Sequence, residues 1–148
     1  MYKQDTTSII DCFNQSNYLW MDHFNYTRQA VISAIANLPD VPTVVDRLMT
    51  NQSDIISFLK MYYPDNVVVD MIDRELKQHV TLVVSLLSSL SNNTDTTAIV
   101  DELTANGEQL ANWLSALNSK MWTKSTILEL WNEHISSVLD QANARISS

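Results

Sequence analysis

Residues 40–84 of this chain align without a gap on residues 95–139, at a constant offset of 55. Nine positions are identical across that offset, among them Asp46/Asp101, Leu48/Leu103, Asn51/Asn106, Ile72/Ile127, His79/His134 and Val83/Val138. Others are like for like, including Val44/Ile99, Phe58/Trp113 and Leu76/Trp131. The remaining histidine, His23, precedes His79 by 56 residues, and its context Leu19-Trp20-Met21-Asp22-His23 returns as Leu130-Trp131-Asn132-Glu133-His134. All three histidines therefore occupy one position of a repeating unit. A unit of this length buries its apolar face only against its copies, so the fold must bring the copies together.

Helical periodicity fits the whole length. The chain holds one glycine and three prolines, and its apolar residues recur at 3.6-residue spacing, which points to an all-α fold. A first helix is expected over residues 8–37, with Ile9, Ile10, Phe13, Leu19, Trp20, Ala30, Val31 and Ala34 as its apolar positions. Pro39 ends it, because proline disfavours helical geometry in the residue before it. Pro42 suits the first turn of the next helix, where a missing N–H costs nothing. The polar run Thr50-Asn51-Gln52-Ser53-Asp54 reads as a break, with Asn51 capping a fresh helix and Asp54 in its first turn. Asn106, its repeat equivalent, reads as a cap in the same way. Further helices are expected over residues 66–89, 96–118 and 123–146. The sum is one domain, residues 1–148: an up-down bundle of four to five helices with internal pseudo-twofold duplication.

Composition removes several function classes. A formal net charge of −8, with nine scattered basic residues, leaves no cationic stripe for phosphates, so neither nucleic acid nor an anionic membrane is an expected partner. The lone Gly107 cannot build a Walker A loop or a dinucleotide turn, which need several glycines for close backbone approach. Cys12 has no partner for an internal disulfide, and Met1 to Asp5 lacks the basic-then-apolar pattern of a signal peptide. An intracellular, non-secreted protein is the expectation.

The histidines carry the only chemistry-bearing pattern. Residues at i±3, i±4 and i±7 share a helix face, and around each histidine that face is apolar: Leu19 and Ala30 for His23, Ile72 and Val83 for His79, Ile127 and Val138 for His134. Pseudo-twofold symmetry would set His79 and His134 at one level of the core, with His23 close to it. Three neutral imidazoles there form a candidate site for a divalent metal, with Glu75 as a fourth ligand or as the acceptor that fixes a tautomer. Thr27, Asn51, Asp54 and Asn106 are the accompanying polar core or cap candidates. The Glu-x-x-His spacing of carboxylate-bridged di-metal bundles is absent, since the available pairs are Glu75–His79 and Glu129–His134. Arg28 falls off the histidine face and reads as a surface or ion-pair residue. The four tryptophans follow core spacing.

These motifs, Leu19-Trp20-Met21-Asp22-His23 with Thr27-Arg28, Leu38-Pro39-Asp40, Arg47-Leu48, Asn51 to Ile55 and Tyr62-Tyr63, resemble those of an uncharacterised family of small all-helical proteins from bacteria and large DNA viruses. His79, Asn106 and His134 match its later positions, so the resemblance covers most of the chain from Leu19 onward. One departure stands out: the family often has Trp shortly before Asn106 and Ala after it, where this chain has Glu102-Leu103-Thr104-Ala105 and Gly107. The resemblance implies a helical bundle with clustered polar positions and supplies no activity.

With no nucleophile–base pair and no phosphate loop in view, the expected function is that of a non-enzymatic structural or interaction protein, an acidic bundle acting as a homo-oligomer or within an assembly. The alternative is a bundle that binds a metal or small ligand at the core histidines.

Overall fold

The computed structural model of the protein describes residues 6–147, with side chains from residue 8 onward. The segment Met1 to Asp5, read above for a signal pattern, lies outside the described residues. Five helices follow one another: α1 (Thr6–Ile35), α2 (Val41–Tyr62), α3 (Val67–Ser91), α4 (Thr97–Leu117) and α5 (Lys124–Ile146). Short connections make each helix antiparallel to the next, so α1, α3 and α5 run one way and α2 and α4 the other. Consecutive helices pack in turn, α1 closes the ring against α5, and α1 also meets α3. This is the expected all-α bundle. No helix among the described residues is long and apolar enough to cross a membrane.

A chain with one glycine must make its tight turns from other residues. Asn37, Asp65 and Asn93 take the left-handed conformation, with φ of 51°, 53° and 52°. Asn and Asp pay least for that conformation after glycine. Asn37 and Asn93 end α1 and α3 in the same way. Leu38 N–H donates to Ser33 C=O and Thr94 N–H to Ser89 C=O, both at 2.9 Å. These ends are 56 residues apart in sequence, the same step as His23 to His79. Two helix starts are capped by side chains: Asn66 Oδ1 accepts from Val68 N–H and Thr123 Oγ1 from Thr126 N–H.

The core has two parts. One gathers Ala30, Val31, Leu82, Val83, Leu86, Leu87, Leu103, Val138 and Ala142. The other gathers Ile55, Ile56, Leu59, Val69, Ile72, Leu76, Leu110 and Trp131. His79 falls between Leu76 of the second cluster and Leu82 of the first, and His134 falls between Trp131 and Val138. The polar layer therefore separates two apolar ones.

Three expectations are corrected. Helix α2 is continuous through residues 50–54, so Asn51 is a buried mid-helix residue and no cap. The polar run survives inside the helix because its hydroxyls bond backward: Thr50 to Asp46 C=O, Ser53 to Met49 C=O and Ser57 to Ser53 C=O. Asn106 is likewise buried inside α4. Near the start of α1, Ile9, Ile10 and Phe13 are exposed, and Trp20 remains 39 % exposed, so four of the apolar positions assigned there lie outside the core.

Candidate metal centre

His23 on α1, His79 on α3 and His134 on α5 converge between the parallel helices. Ring centroids are 6.3 Å apart for His23–His79 and 5.7 Å for each of the other two pairs. One ligand nitrogen from each imidazole can be chosen so that all three lie within 4.8 Å of one another. His23 and His79 are buried and His134 is half-buried.

Burial holds all three rings neutral. His23 is pushed down to about 4 by burial, with His134 adding to the effect and Asn51 opposing it. His79 lies well below the ordinary histidine range, from burial first and then from the neighbouring His134 and His23. His134 is lowered by burial as well. Neutral imidazoles are the form that binds metals.

Each of the first two histidines has an asparagine on the following helix. Asn51 Nδ2 donates to Leu19 C=O at 3.0 Å, the carbonyl four residues before His23. Asn106 Nδ2 donates to Glu75 C=O at 3.0 Å, the carbonyl four residues before His79. In both pairs the asparagine Oδ1 and the histidine Nδ1 are buried without a hydrogen-bond partner. Asn51 lies close enough to favour the protonated His23 ring, although the contact falls outside strict hydrogen-bond geometry. At His23 a small closing movement would give an Nδ1–H to Asn51 Oδ1 bond and leave the Nε2 lone pair for a ligand. For His134 the buried nitrogen without a partner is Nε2.

Gly107 has a role that the sequence did not disclose. The indole of Trp131 lies against it so closely that a Cβ at this position would overlap the edge of the ring. The same indole packs edge-on against His79, with centroids 4.4 Å apart. A missing side chain on α4 thus admits an aromatic wall on the histidine layer. The repeat register holds the signal in retrospect: positions 107 and 131 are Gly and Trp where positions 52 and 76 are Gln and Leu.

A cavity of about 660 Å³ opens beside the imidazoles and is lined by all three of them. Thr27, buried at 5 % exposure, also lines it. So does Arg28, assigned above to the surface or to an ion pair; it is exposed and has no acidic partner among the described residues. Trp20 lines it too. The other candidates are elsewhere. Glu75 is buried, but its carboxylate accepts from Arg74 at 2.8 Å and from Asn106 at 3.1 Å, and the metal-ligand cluster consists of the three histidines alone. Asp54 is half-exposed and faces Arg47 at 3.7 Å. Comparison with family models, curated proteins and solved structures finds no match to this chain.

Proposed function

We propose that the protein is a metal-binding helical bundle that holds one divalent cation, zinc foremost, on His23, His79 and His134. The observation that carries this reading is the approach of three ligand nitrogens to within 4.8 Å of one another. Zinc–nitrogen bonds of about 2.0–2.1 Å in tetrahedral geometry require nitrogens roughly 3.3 Å apart. Inward movement of each imidazole by about 0.8 Å closes that gap, a change within rotamer adjustment. The donor set fits: three neutral imidazoles suit zinc and its neighbours in the first transition row, and no carboxylate shares the cluster. Glu75 supports the site through Asn106 and is not a ligand.

Three protein ligands leave a fourth position, and the cavity is where that position would open. A zinc ion held there supplies a Lewis acid and an acidified water. The chain itself supplies the neutral ligands, the Asn51 and Asn106 bonds to the backbone one turn before two of them, and the indole wall against His79. The opposing reading, in which the three rings only fill the core, gives the buried Nε2 of His134 no protein partner, whereas a bound cation supplies one.

The test is zinc titration against a competing chelator, together with elemental analysis, on the wild type and on a triple His→Gln variant. One zinc per chain in the wild type and none in a folded triple variant is the expected result. Equal metal content in both would remove the reading.

A further inference from the structure

We propose that the cavity beside the imidazoles takes a small amphipathic carboxylic acid, its carboxylate between the metal and Arg28 and its hydrocarbon body along Leu76, Leu110, Leu114 and Ile127. The inference rests on the metal reading for one of the carboxylate's two partners. At about 660 Å³ the cavity is of the size that encloses small organic molecules.

Its two ends differ in chemistry. Because α1, α3 and α5 are parallel, residues that precede their histidines lie at one end and residues that follow lie at the other. The first end holds Leu76 and Ile127, joined by Leu110 and Leu114 from antiparallel α4. The other holds Arg28, Ser137 and Gln141, with Val138 as an apolar residue among them. The histidines lie between. A ligand filling both ends must therefore be apolar at one extremity and polar at the other.

Charge sets the polar group. Arg28 has no acidic partner among the described residues, although the chain is acidic overall with a net charge of −8. A guanidinium reads a carboxylate with two parallel N–H donors. Its Cα is five residues beyond that of His23, about 7.5 Å along the axis, a span that an arginine side chain covers. Glu133 also lines the cavity and is exposed. It opposes an anion, but a dication and Arg28 together outweigh it. A phosphate, with a second negative charge and three acceptors, would find too few donors beside these apolar walls.

The experiment is calorimetric titration of the full, zinc-loaded chain with octanoate, using 1-octanol and acetate as controls. Zinc affinity is measured separately for every variant. Octanoate should bind, with octanol and acetate each weaker by about tenfold or more, since each lacks one half of the recognition. Arg28→Gln should weaken octanoate about tenfold and leave zinc affinity unchanged, while Glu133→Gln should strengthen octanoate several-fold. Octanoate binding no better than octanol, or unchanged by Arg28→Gln in protein that holds zinc, overturns the ligand assignment and leaves the metal reading standing. Octanoate bound through Arg28 by protein that takes up no zinc does the reverse.

Discussion

The α1–α2 and α3–α4 halves solve the same problem with different side chains. Each places a histidine on its first helix and an asparagine on its second. Each asparagine bonds the carbonyl four residues before the histidine, at 3.0 Å in both halves. The residues around this shared contact diverge. In α1–α2 the residue four before the histidine is Leu19, and the charges stay outside, where Arg47 bridges Asp22 at 3.3 Å and Asp54 at 3.7 Å. In α3–α4 that residue is Glu75, whose buried carboxylate is held by Arg74 and Asn106. Gln52 follows the first asparagine and Gly107 the second, and only Gly107 admits the Trp131 indole. His134 on α5 has no sixth helix among the described residues to supply a third asparagine. The contact common to both halves ties an asparagine to the backbone one turn before a histidine; what varies is the packing around it.

The largest expected effect is acid sensitivity of the metal-free protein. A histidine whose folded pKa is lowered contributes stability that is present above the unfolded value and is lost as pH falls through the folded one. For His23 that window runs from 6.5 down to about 4, and the loss amounts to up to about 3 kcal/mol. His79, also lowered by burial, adds to the loss in the same direction. Urea midpoints of metal-free protein between pH 7 and pH 4.5 should fall steadily. His23→Gln and His79→Gln should each flatten that fall. A midpoint independent of pH would mean that the rings are hydrated like surface histidines, and the polar layer would lose its meaning.

Gly107→Ala tests the half that admits an indole. The added methyl overlaps Trp131, and overpacking of this kind costs about 1–3 kcal/mol. The gain in helix propensity from replacing glycine, up to about 1 kcal/mol, offsets only part of it. Thermal melts should therefore show a net loss. Combining it with Trp131→Leu should recover much of that loss, because Leu76 already occupies the corresponding position in the other half. Additive losses in the double variant would mean that the overlap is not the cause.

The paired asparagines compare the halves directly. Asn106→Leu leaves the Glu75 carboxylate, whose side chain is 5 % exposed, with Arg74 as its remaining partner, and should cost about 2–3 kcal/mol. Asn51→Leu removes a bond to a carbonyl that keeps its helical partner, and should cost about 1 kcal/mol. Zinc affinity should fall by about tenfold or more in both, as expected when the groups that orient metal ligands are removed. Unequal stability loss with equal affinity loss would separate the shared orienting role from the packing behind it. An unchanged zinc affinity in both variants would deny the asparagines that role.

The sequence revealed the helices well because its periodicity and its turn residues agree. Pro42, Asn66 and Thr123 mark starts close to where they occur, and the histidine layer follows from one repeat position on three parallel helices. What it concealed was whether a polar residue faces inward or caps a helix. Asn51 and Asn106 have strong cap preferences and lie in polar company, so local chemistry pointed to helix ends; a tertiary contact with the preceding helix overrode it. Gly107 was informative only about what it excluded, because its use depends on an indole 24 residues away in sequence. Arg28 was placed off the histidine face by its spacing. A long side chain reaches beyond the face of its own Cα, and the cavity wall extends past the histidine layer.

The smallest expected effect concerns Gln52, the counterpart of Gly107. Its side chain is fully buried, yet neither its amide oxygen nor its amide nitrogen has a hydrogen-bond partner. Burying an unsatisfied amide is unfavourable by roughly 1–3 kcal/mol, while an apolar side chain of similar volume carries no such penalty. Gln52→Met should therefore be neutral or stabilising by about 1 kcal/mol in urea unfolding, with zinc affinity unchanged. That outcome would leave Gln52 as the packing counterpart of the space that Trp131 fills beside Gly107, and would confine the functional likeness of the two halves to histidine and asparagine. Destabilisation accompanied by weaker zinc binding would mean the opposite: the Gln52 amide takes part in orienting the site through a bridging water, and the α1–α2 half carries a polar contact that its α3–α4 counterpart replaced with an aromatic one.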